Sequence, residues 1–185
     1  MIPPRHSCTV ERMQIEVRPL TPSCHVEIAQ VAARMRETLV EVLGSEKGTA
    51  MYTPEWLEER VRFHLDASRA AAVFVAANEG QLIGHTIVRR ETPTGDQGPA
   101  ETKDQPFGLF STTYVLPEHR RDHVASQLLE VGEAWMREQG LHWAATDTSS
   151  SNNKLIRLYE GRGYTLAYEA ATPDAGTMVR LLRRL

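Results

Sequence analysis

Cysteine is scarce in this sequence. Its 185 residues contain only Cys8 and Cys24, and Cys8 lies in an N-terminal segment without any periodic pattern. Two thiols are too few for a disulfide scaffold or a cysteine-rich zinc site. The cysteine content therefore predicts a protein of a reducing compartment.

Long apolar runs are also missing. No stretch approaches the roughly 20 consecutive apolar residues of a membrane-spanning helix. The opening residues, Met1-Ile2-Pro3-Pro4-Arg5-His6, lack the apolar block of a signal peptide. We therefore predict a soluble cytoplasmic protein without a membrane partner.

Basic clusters are absent as well. The chain has 21 Lys and Arg against 24 Asp and Glu, a net charge of −3, and no basic run. This balance argues against nucleic acid as a partner and favours a small molecule or a peptide. The length and the 41% apolar content predict one globular domain over residues 14–185, preceded by a flexible leader at residues 1–13. A homodimer is compatible with the sequence.

Hydrophobic periodicity predicts a mixed α/β domain. The expected order is strand, two helices, three strands, helix, strand, helix and two strands. Residues 45–52 and 92–106 read as loops, and the three tryptophans read as core residues. The predicted strands cover residues 14–20, 71–77, 81–90, 107–116, 141–146, 164–170 and 177–182, and the helices begin near Ser23, Pro54, Arg120 and Ser151 or Asn152.

One junction predicts an anion site. The strand Phe107 to Leu116 stops at Pro117, and a helical stripe follows at once, so that a helix is expected to begin near Arg120. The first N–H groups of a helix are unpaired and lie at the positive end of its dipole. With Arg120 and Arg121 beside them, these groups favour a phosphate-bearing ligand.

Two motifs carry a resemblance to a known family. Arg120-x-x-His123-x-Ala125 resembles the acyl-CoA signature Q/R-x-x-G-x-G/A of the GNAT N-acetyltransferase superfamily, with histidine in place of the first glycine. The segment from Asn152 to Tyr164 is similar to the family pattern N-x-x-A-x-x-L-Y-E-x-x-G-F. The imidazole of His123 is expected to donate to a phosphate oxygen.

The resemblance implies a GNAT-like mixed sheet and an acetyl-CoA-dependent transfer of an acyl group directly to a primary amine of a small molecule or peptide. The fourth and fifth strands would part into a V-shaped slot. Backbone groups of the fourth strand would bind the pantetheine arm there, and the helix start would bind the pyrophosphate. The cofactor-binding residues that it implies are Tyr114, Val115, Arg120, Arg121, Asp122, His123, Val124, Ala125, Ser126 and Asn152.

The resemblance also implies that Tyr159 protonates the leaving thiolate, although its spacing alone is typical of a core aromatic. Asn152 is equally well explained as a plain helix cap. The base that removes the amine proton is left open. Asp147 and His85 are candidates, but a turn acceptor and a buried sheet residue are the more ordinary roles for them.

The sequence leaves two further alternatives. His119 and His123 have the i, i+4 spacing of zinc ligands, but the arginines between them would repel a cation, so no metal site is predicted. A non-catalytic acyl-CoA-binding or sensing module of the same fold would satisfy the same motifs. Amine-dependent release of the CoA thiol separates that module from an enzyme.

Overall fold

The structure, a computed structural model, describes residues 14–93, 105–172 and 176–185. The leader, most of the 92–106 loop and the turn at residues 173–175 lie outside this part of the chain. The strands are β1 (Ile15–Pro19), β2 (Ala71–Asn78), β3 (Gln81–Glu91), β4 (Phe107–Val115), β5 (Trp143–Ser149), β6 (Thr165–Thr172) and β7 (Gly176–Arg184). The helices are α1 (His25–Leu43), α2 (Ser45–Ala50), α3 (Pro54–Leu65), α4 (Val124–Glu138) and α5 (Asn153–Glu160).

The strands form one seven-stranded sheet in the order β1-β2-β3-β4-β5-β7-β6. Every neighbouring pair is antiparallel except β4 and β5, which run parallel. The predicted order of elements is confirmed, with one helix more than expected. The prediction of a loop over residues 45–52 is wrong, because α2 occupies most of it.

Close packing explains this extra helix. Gly44 joins α1 to α2 with φ of 85°, a conformation that glycine adopts without strain. A Cβ atom on Gly48 would lie 2.6 Å from the backbone of Leu39 and Val40 in α1. The absence of a side chain at Gly48 therefore allows α2 to fold back against α1.

The start of α4 also differs from the prediction. The helix begins at Val124 and not near Arg120. A short 3₁₀ turn at Pro117–His119 comes first, and then Arg121 and His123 adopt positive φ angles of 86° and 62°. An α-helix cannot continue through residues in the left-handed region, so the regular helix is delayed until Val124.

The helices cover both faces of the sheet. The core on one face joins α1 and α3 to the first strands through Ile28, Val31, Leu57, Val61 and Val75. The core on the other face joins α4 and α5 to β4 and β7 through Phe110, Leu129, Met136, Tyr159 and Leu181. The two faces are named below the α1 face and the α4 face.

The prediction that Trp56 is a core residue is wrong. It is 41% exposed and stacks on Tyr52 with 4.0 Å between the ring centroids. Leu57 and Val61 provide the buried stripe of α3 instead. Thr53 caps the helix as expected, since its hydroxyl accepts from the Trp56 N–H at 3.2 Å. Among the helices of the described ranges, none is long and apolar enough to cross a membrane.

Candidate active site

A slot opens between β4 and β5. Their pairing covers only three positions, Gly108 with Ala144, Leu109 with Ala145 and Phe110 with Thr146. The Thr146 hydroxyl donates to the Phe110 carbonyl at 3.3 Å at the last of these positions. Beyond them β4 continues to Val115 and β5 to Ser149 without pairing, so the predicted parting of the two strands is confirmed.

The slot belongs to a cleft of about 1240 Å³ between α1, β4, the start of α4 and the start of α5. Nine of the predicted cofactor residues line it: Tyr114, Val115, Arg120, Arg121, His123, Val124, Ala125, Ser126 and Asn152. Asp122, Tyr159 and Asp147 are not among its lining residues. The structure therefore brings together most of the predicted binding residues but leaves both predicted catalytic side chains outside the cleft wall.

The first turn of α4 presents backbone donors to this cleft. The first amide bonded along the helix is that of Gln127, which donates to the His123 carbonyl at 3.1 Å. The N–H groups of Val124, Ala125 and Ser126 precede that bond and so have no acceptor within the helix. His123 forms no side-chain cap to the helix. Unpaired amides at the positive end of a helix dipole have the chemistry that an anionic group requires.

The backbone of β4 also faces the slot. The Leu116 N–H donates to the Ile83 carbonyl of β3 at 2.9 Å. Because backbone groups alternate in direction along a strand, the N–H and C=O of Val115 point the opposite way, toward the slot. The Val115 carbonyl is already bonded, because it accepts from Nε of Arg120 at 2.8 Å.

Arg120 is held by three contacts. Besides the Val115 carbonyl, its Nη2 donates to Oε1 of Glu41 on α1 at 2.6 Å, and its guanidinium lies 5.4 Å from the centroid of the Tyr114 ring. Arg120 therefore links α1 to the end of β4 through these bonds. The prediction placed this residue against phosphate, and in the structure a carboxylate holds it.

Asn152 caps α5. Its Oδ1 accepts from the Leu155 N–H at 3.3 Å, and its Nδ2 donates to the Thr148 hydroxyl at 3.2 Å. The capping role weighed from the sequence is thus present. Lys154, in the first turn of α5, lines the same cleft with an exposed side chain.

Tyr159 is buried on the α4 face with 1% exposure. Its ring packs edge to face against Phe110 and Tyr164. Thr113 and Thr146, the residues that flank the point where the strands part, lie close enough to its hydroxyl to influence its pKa. Burial raises the pKa of Tyr159 to about 12, so the phenol is neutral at pH 7.

The two candidate bases lie in different surroundings. Asp147 is exposed, and both of its carboxylate oxygens accept from Arg180 at 2.7 Å. His85 has no exposed surface, and neither ring nitrogen has a partner among the described residues. Burial, with a smaller contribution from Arg34, lowers the pKa of His85 to about 3. The structure therefore brings neither candidate into the cleft wall.

Sequence reasoning missed the contribution of α1 to the site. Glu41 reaches Arg120, and Glu37 accepts from the Tyr114 hydroxyl at 2.5 Å. Both carboxylates lie on the polar side of an amphipathic helix, and a sequence pattern cannot distinguish that side from a solvent-facing one. Their i, i+4 spacing was the only available signal.

The two histidines weighed as zinc ligands do not form a metal site. His119 Nδ1 lies 3.9 Å from Asp122 Oδ2, and His123 lies at the helix start with a left-handed backbone. Within residues 14–93, 105–172 and 176–185, no group of three or more His, Cys, Asp or Glu side chains is placed to hold a metal ion.

Comparisons with known proteins agree with this architecture. A model of the acetyltransferase (GNAT) family matches residues 35–164. A search of curated proteins finds no match.

Solved structures share the fold. The NatC complex bound to Gag peptide and CoA contains a chain with 17% identity and a TM-score of 0.69, and the match covers 94% of this chain and 99% of that one. YncA, a putative acetyltransferase from Salmonella typhimurium with its cofactor acetyl-CoA, has 13% identity and a TM-score of 0.70, covering 93% and 94%. AAC(6')-Iy with the bisubstrate analog CoA-S-monomethyl-acetylneamine has 19% identity and a TM-score of 0.67, covering 86% and 96%. The predicted fold class is confirmed.

Proposed function

Because this chain belongs to the GNAT acetyltransferase family, we propose that it is an N-acetyltransferase that moves an acetyl group from acetyl-CoA directly to a primary amine of a small molecule or peptide. The structural neighbours support this choice of substrates. One is a complex with CoA and a peptide, one holds acetyl-CoA, and one holds a CoA adduct of an aminoglycoside.

One observation carries the proposal. Three amides without helical acceptors, those of Val124, Ala125 and Ser126, lie at the mouth of a slot between strands that stop pairing after Phe110 and Thr146. A diphosphate needs several donors at one place, and an extended amide chain needs an unpaired strand edge. The two features meet in one cleft of about 1240 Å³, as a CoA thioester requires.

The residues fit this cosubstrate by their chemistry. The first turn of α4 and the exposed cations Arg121 and Lys154 would hold the phosphates. The free edge of β4 near Val115 would pair with the pantetheine amides, and the Val115 N–H would stabilise negative charge on the carbonyl oxygen during attack. The cosubstrate supplies an acyl group activated as a thioester.

Tyr159 is the proposed acid. A thiol has an ordinary pKa of about 8.5, so a thiolate that leaves near neutral pH needs a proton, and a phenol placed against the sulfur can hydrogen-bond to the thiolate and deliver that proton as the C–S bond breaks. The Tyr159 hydroxyl meets Thr113 and Thr146 at the inner end of the slot, and its raised pKa keeps the proton in place until the sulfur departs. Asp147 stays a candidate base, although Arg180 already occupies both of its oxygens.

One observation favours a second candidate function. Because Tyr159 is only 1% exposed and its hydroxyl has protein partners, a module that binds acyl-CoA without transfer is consistent with the same site. Such a sensor would keep the anion site and the slot but would not use the phenol.

A direct experiment separates the two candidates. The full chain is incubated with acetyl-CoA and a panel containing a polyamine, an aminoglycoside and a peptide with a free N-terminus, and thiol release is recorded alongside calorimetric binding of acetyl-CoA. The enzyme predicts thiol release that depends on an amine. Binding without release in any part of the panel would favour the sensor, and the absence of binding would overturn both.

A further inference from the structure

Two tyrosines approach the slot from opposite faces of the sheet. Thr113 and Tyr114 are neighbours on β4, so their side chains point to opposite faces. Thr113 lies on the α4 face, where its hydroxyl is close to that of Tyr159. Tyr114 lies on the α1 face, where its hydroxyl donates to Oε2 of Glu37 at 2.5 Å. The sheet therefore places one phenol on each side of the position at which β4 and β5 separate.

The bond from Tyr114 to Glu37 leaves the phenol oxygen with a defined role. A tyrosine has one hydrogen to donate, and that hydrogen is directed at Glu37. The other carboxylate oxygen of Glu37 accepts from Nη1 of Arg34 at 2.5 Å, which fixes the orientation of the carboxylate. Tyr114 is among the residues that line the cleft, with 5% of its surface exposed, and its oxygen keeps the lone pairs with which a phenol accepts a hydrogen bond.

The other charged and titratable groups around Tyr114 come from three elements. Arg120, in the turn after β4, lies over one side of the ring, and Glu41 on α1 neutralises this arginine. His85 on β3 is parallel to the ring at a centroid distance of 6.2 Å. Burial and the bond to Glu37 raise the pKa of Tyr114 to about 12, so it is a neutral phenol near pH 7.

We infer that Tyr114, together with Glu37, receives the proton that the acceptor amine loses during acetyl transfer. This inference rests on the proposed acetyltransferase function. It supplies the base that Asp147, held by Arg180, and the buried His85 are poorly placed to provide. It also separates the two proton transfers, with gain of the amine proton on the α1 face and protonation of sulfur on the α4 face.

Acetyl transfer by this route moves a proton away from the amine and another onto the sulfur. The lone pair of the neutral amine forms the new C–N bond, and the C–S bond breaks with its electron pair on sulfur. The nitrogen, positively charged after attack, gives a proton to the Tyr114 oxygen while the original Tyr114 proton moves to Glu37. The thiolate takes a proton from Tyr159. Glu37 then loses its extra proton and Tyr159 regains its own by exchange with water. Tyr114 is thus the group that touches the amine, and Glu37 acts through it.

The competing explanation is a purely structural tie between α1 and β4. Tyr114→Phe keeps the ring against His85 and Arg120 and removes only the hydroxyl. Glu37→Gln keeps the side-chain shape and removes the charge. Tyr164→Phe is the matched control, because the Tyr164 hydroxyl donates to Glu133 at 3.1 Å in a second tyrosine–glutamate pair, and Tyr164 does not line the cleft.

The test uses the amine of the panel that the wild-type chain acetylates fastest, and kcat/KM is measured between about pH 5 and pH 10, where amines and carboxylates titrate. Tyr114→Phe and Glu37→Gln should each lower kcat by about 100-fold, the usual scale for loss of acid–base catalysis. The KM for acetyl-CoA should stay unchanged in both variants, so that the loss appears in kcat alone. Tyr164→Phe should keep the wild-type profile.

Failure of the Tyr114 inference and failure of the acetyltransferase proposal give different results. If the wild-type chain acetylates an amine and Tyr114→Phe has the same kcat and pH profile as the wild type, the inference is overturned. The acetyltransferase proposal then still stands. Absence of wild-type turnover with every amine would overturn both. Thermal melts accompany each variant, and if Tyr114→Phe fails to fold, the kcat of Glu37→Gln decides: a wild-type kcat in a folded Glu37→Gln protein overturns the inference.

Discussion

At the scale of single residues, Tyr159 is a buried side chain that lies close to the point where β4 and β5 part, although it does not line the cleft. A buried phenol needs a polar partner, and Thr113 and Thr146 provide it at the point where the strands part. Desolvation raises its pKa to about 12, which keeps the phenol protonated over the whole physiological range. The same burial that makes Tyr159 a core residue therefore preserves the proton that the proposed reaction uses.

Tyr159→Phe should separate these two roles. The ring still fills its place between Phe110 and Tyr164, so acetyl-CoA affinity should change little. Loss of a general acid should lower kcat by about 100-fold near neutral pH. Steady-state kinetics with binding by calorimetry measure both quantities. An unchanged kcat would remove Tyr159 from the reaction.

A second prediction at this scale concerns the contribution of Arg120 to CoA binding. Its ion pair with Glu41 at 2.6 Å is partly exposed, and a phosphate would have to compete with that carboxylate for the guanidinium. Exposed pairs contribute at most about 1 kcal/mol, so Glu41→Gln should tighten CoA binding by about two- to fivefold. A phosphate-free pantetheine analogue serves as the control ligand. Equal changes for the two ligands would show that Arg120 does not contact phosphate.

At the scale of elements, the contact between α1 and α2 depends on one missing side chain. Gly48→Ala would place a Cβ 2.6 Å from the backbone of Leu39 in α1, and backbone atoms cannot swing aside. Overpacking of this kind usually costs about 1–3 kcal/mol in the free energy of unfolding. Urea denaturation measures the loss.

Thr49→Ala is the control for this prediction, since Thr49 is exposed on the same short helix and should change stability by less than about 0.5 kcal/mol. A Gly48→Ala protein as stable as the Thr49→Ala protein would mean that α2 can move away from α1 at no cost.

The elements also show what the sequence could and could not predict. Periodic patterns located the strands and long helices, because burial of one face imposes that period. The sequence analysis placed the start of α4 four residues too early. The reason is that the residue types arginine and histidine do not reveal the positive φ angles of Arg121 and His123. Histidine at this position can adopt the left-handed conformation, which substitutes for the expected glycine.

The site was predictable to the extent that it is built from local backbone. The strand-to-helix junction alone predicts unpaired amides at a helix start, but it places them near Arg120, four residues before the first helical residue of α4, Val124. Glu37 and Glu41 could not be assigned, because their partners Tyr114 and Arg120 are distant in sequence and meet them only through the packing of α1 on the sheet.

At the scale of the whole molecule, two buried histidines make stability depend on pH. Burial, with Arg60 and Arg89 adding to it, lowers the pKa of His64 to about 4, and burial lowers that of His85 to about 3. In the unfolded chain both return to about 6.5. Between these values the unfolded state binds more protons, so the free energy of unfolding falls as the pH drops below about 6.5.

Each histidine should account for a loss on the order of 2 kcal/mol between pH 7.5 and pH 5. Urea denaturation at the two pH values measures this difference. His85→Leu should reduce the pH dependence by about half, whereas His142→Asn, at an exposed position, should leave it unchanged. An identical pH dependence in wild type and His85→Leu would show that His85 does not control acid stability.

The three-position junction between β4 and β5 has a consequence for the evolution of stability in this molecule. Closing the remaining gap strand against strand would satisfy more of the peptide groups and should raise the melting temperature. It would also close the strand edge that the thioester of the proposed reaction would join. Selection for heat tolerance should therefore strengthen the pairing of Phe110 with Thr146 without adding further paired positions, since the bound cosubstrate of the proposed reaction would occupy the unpaired part of the sheet.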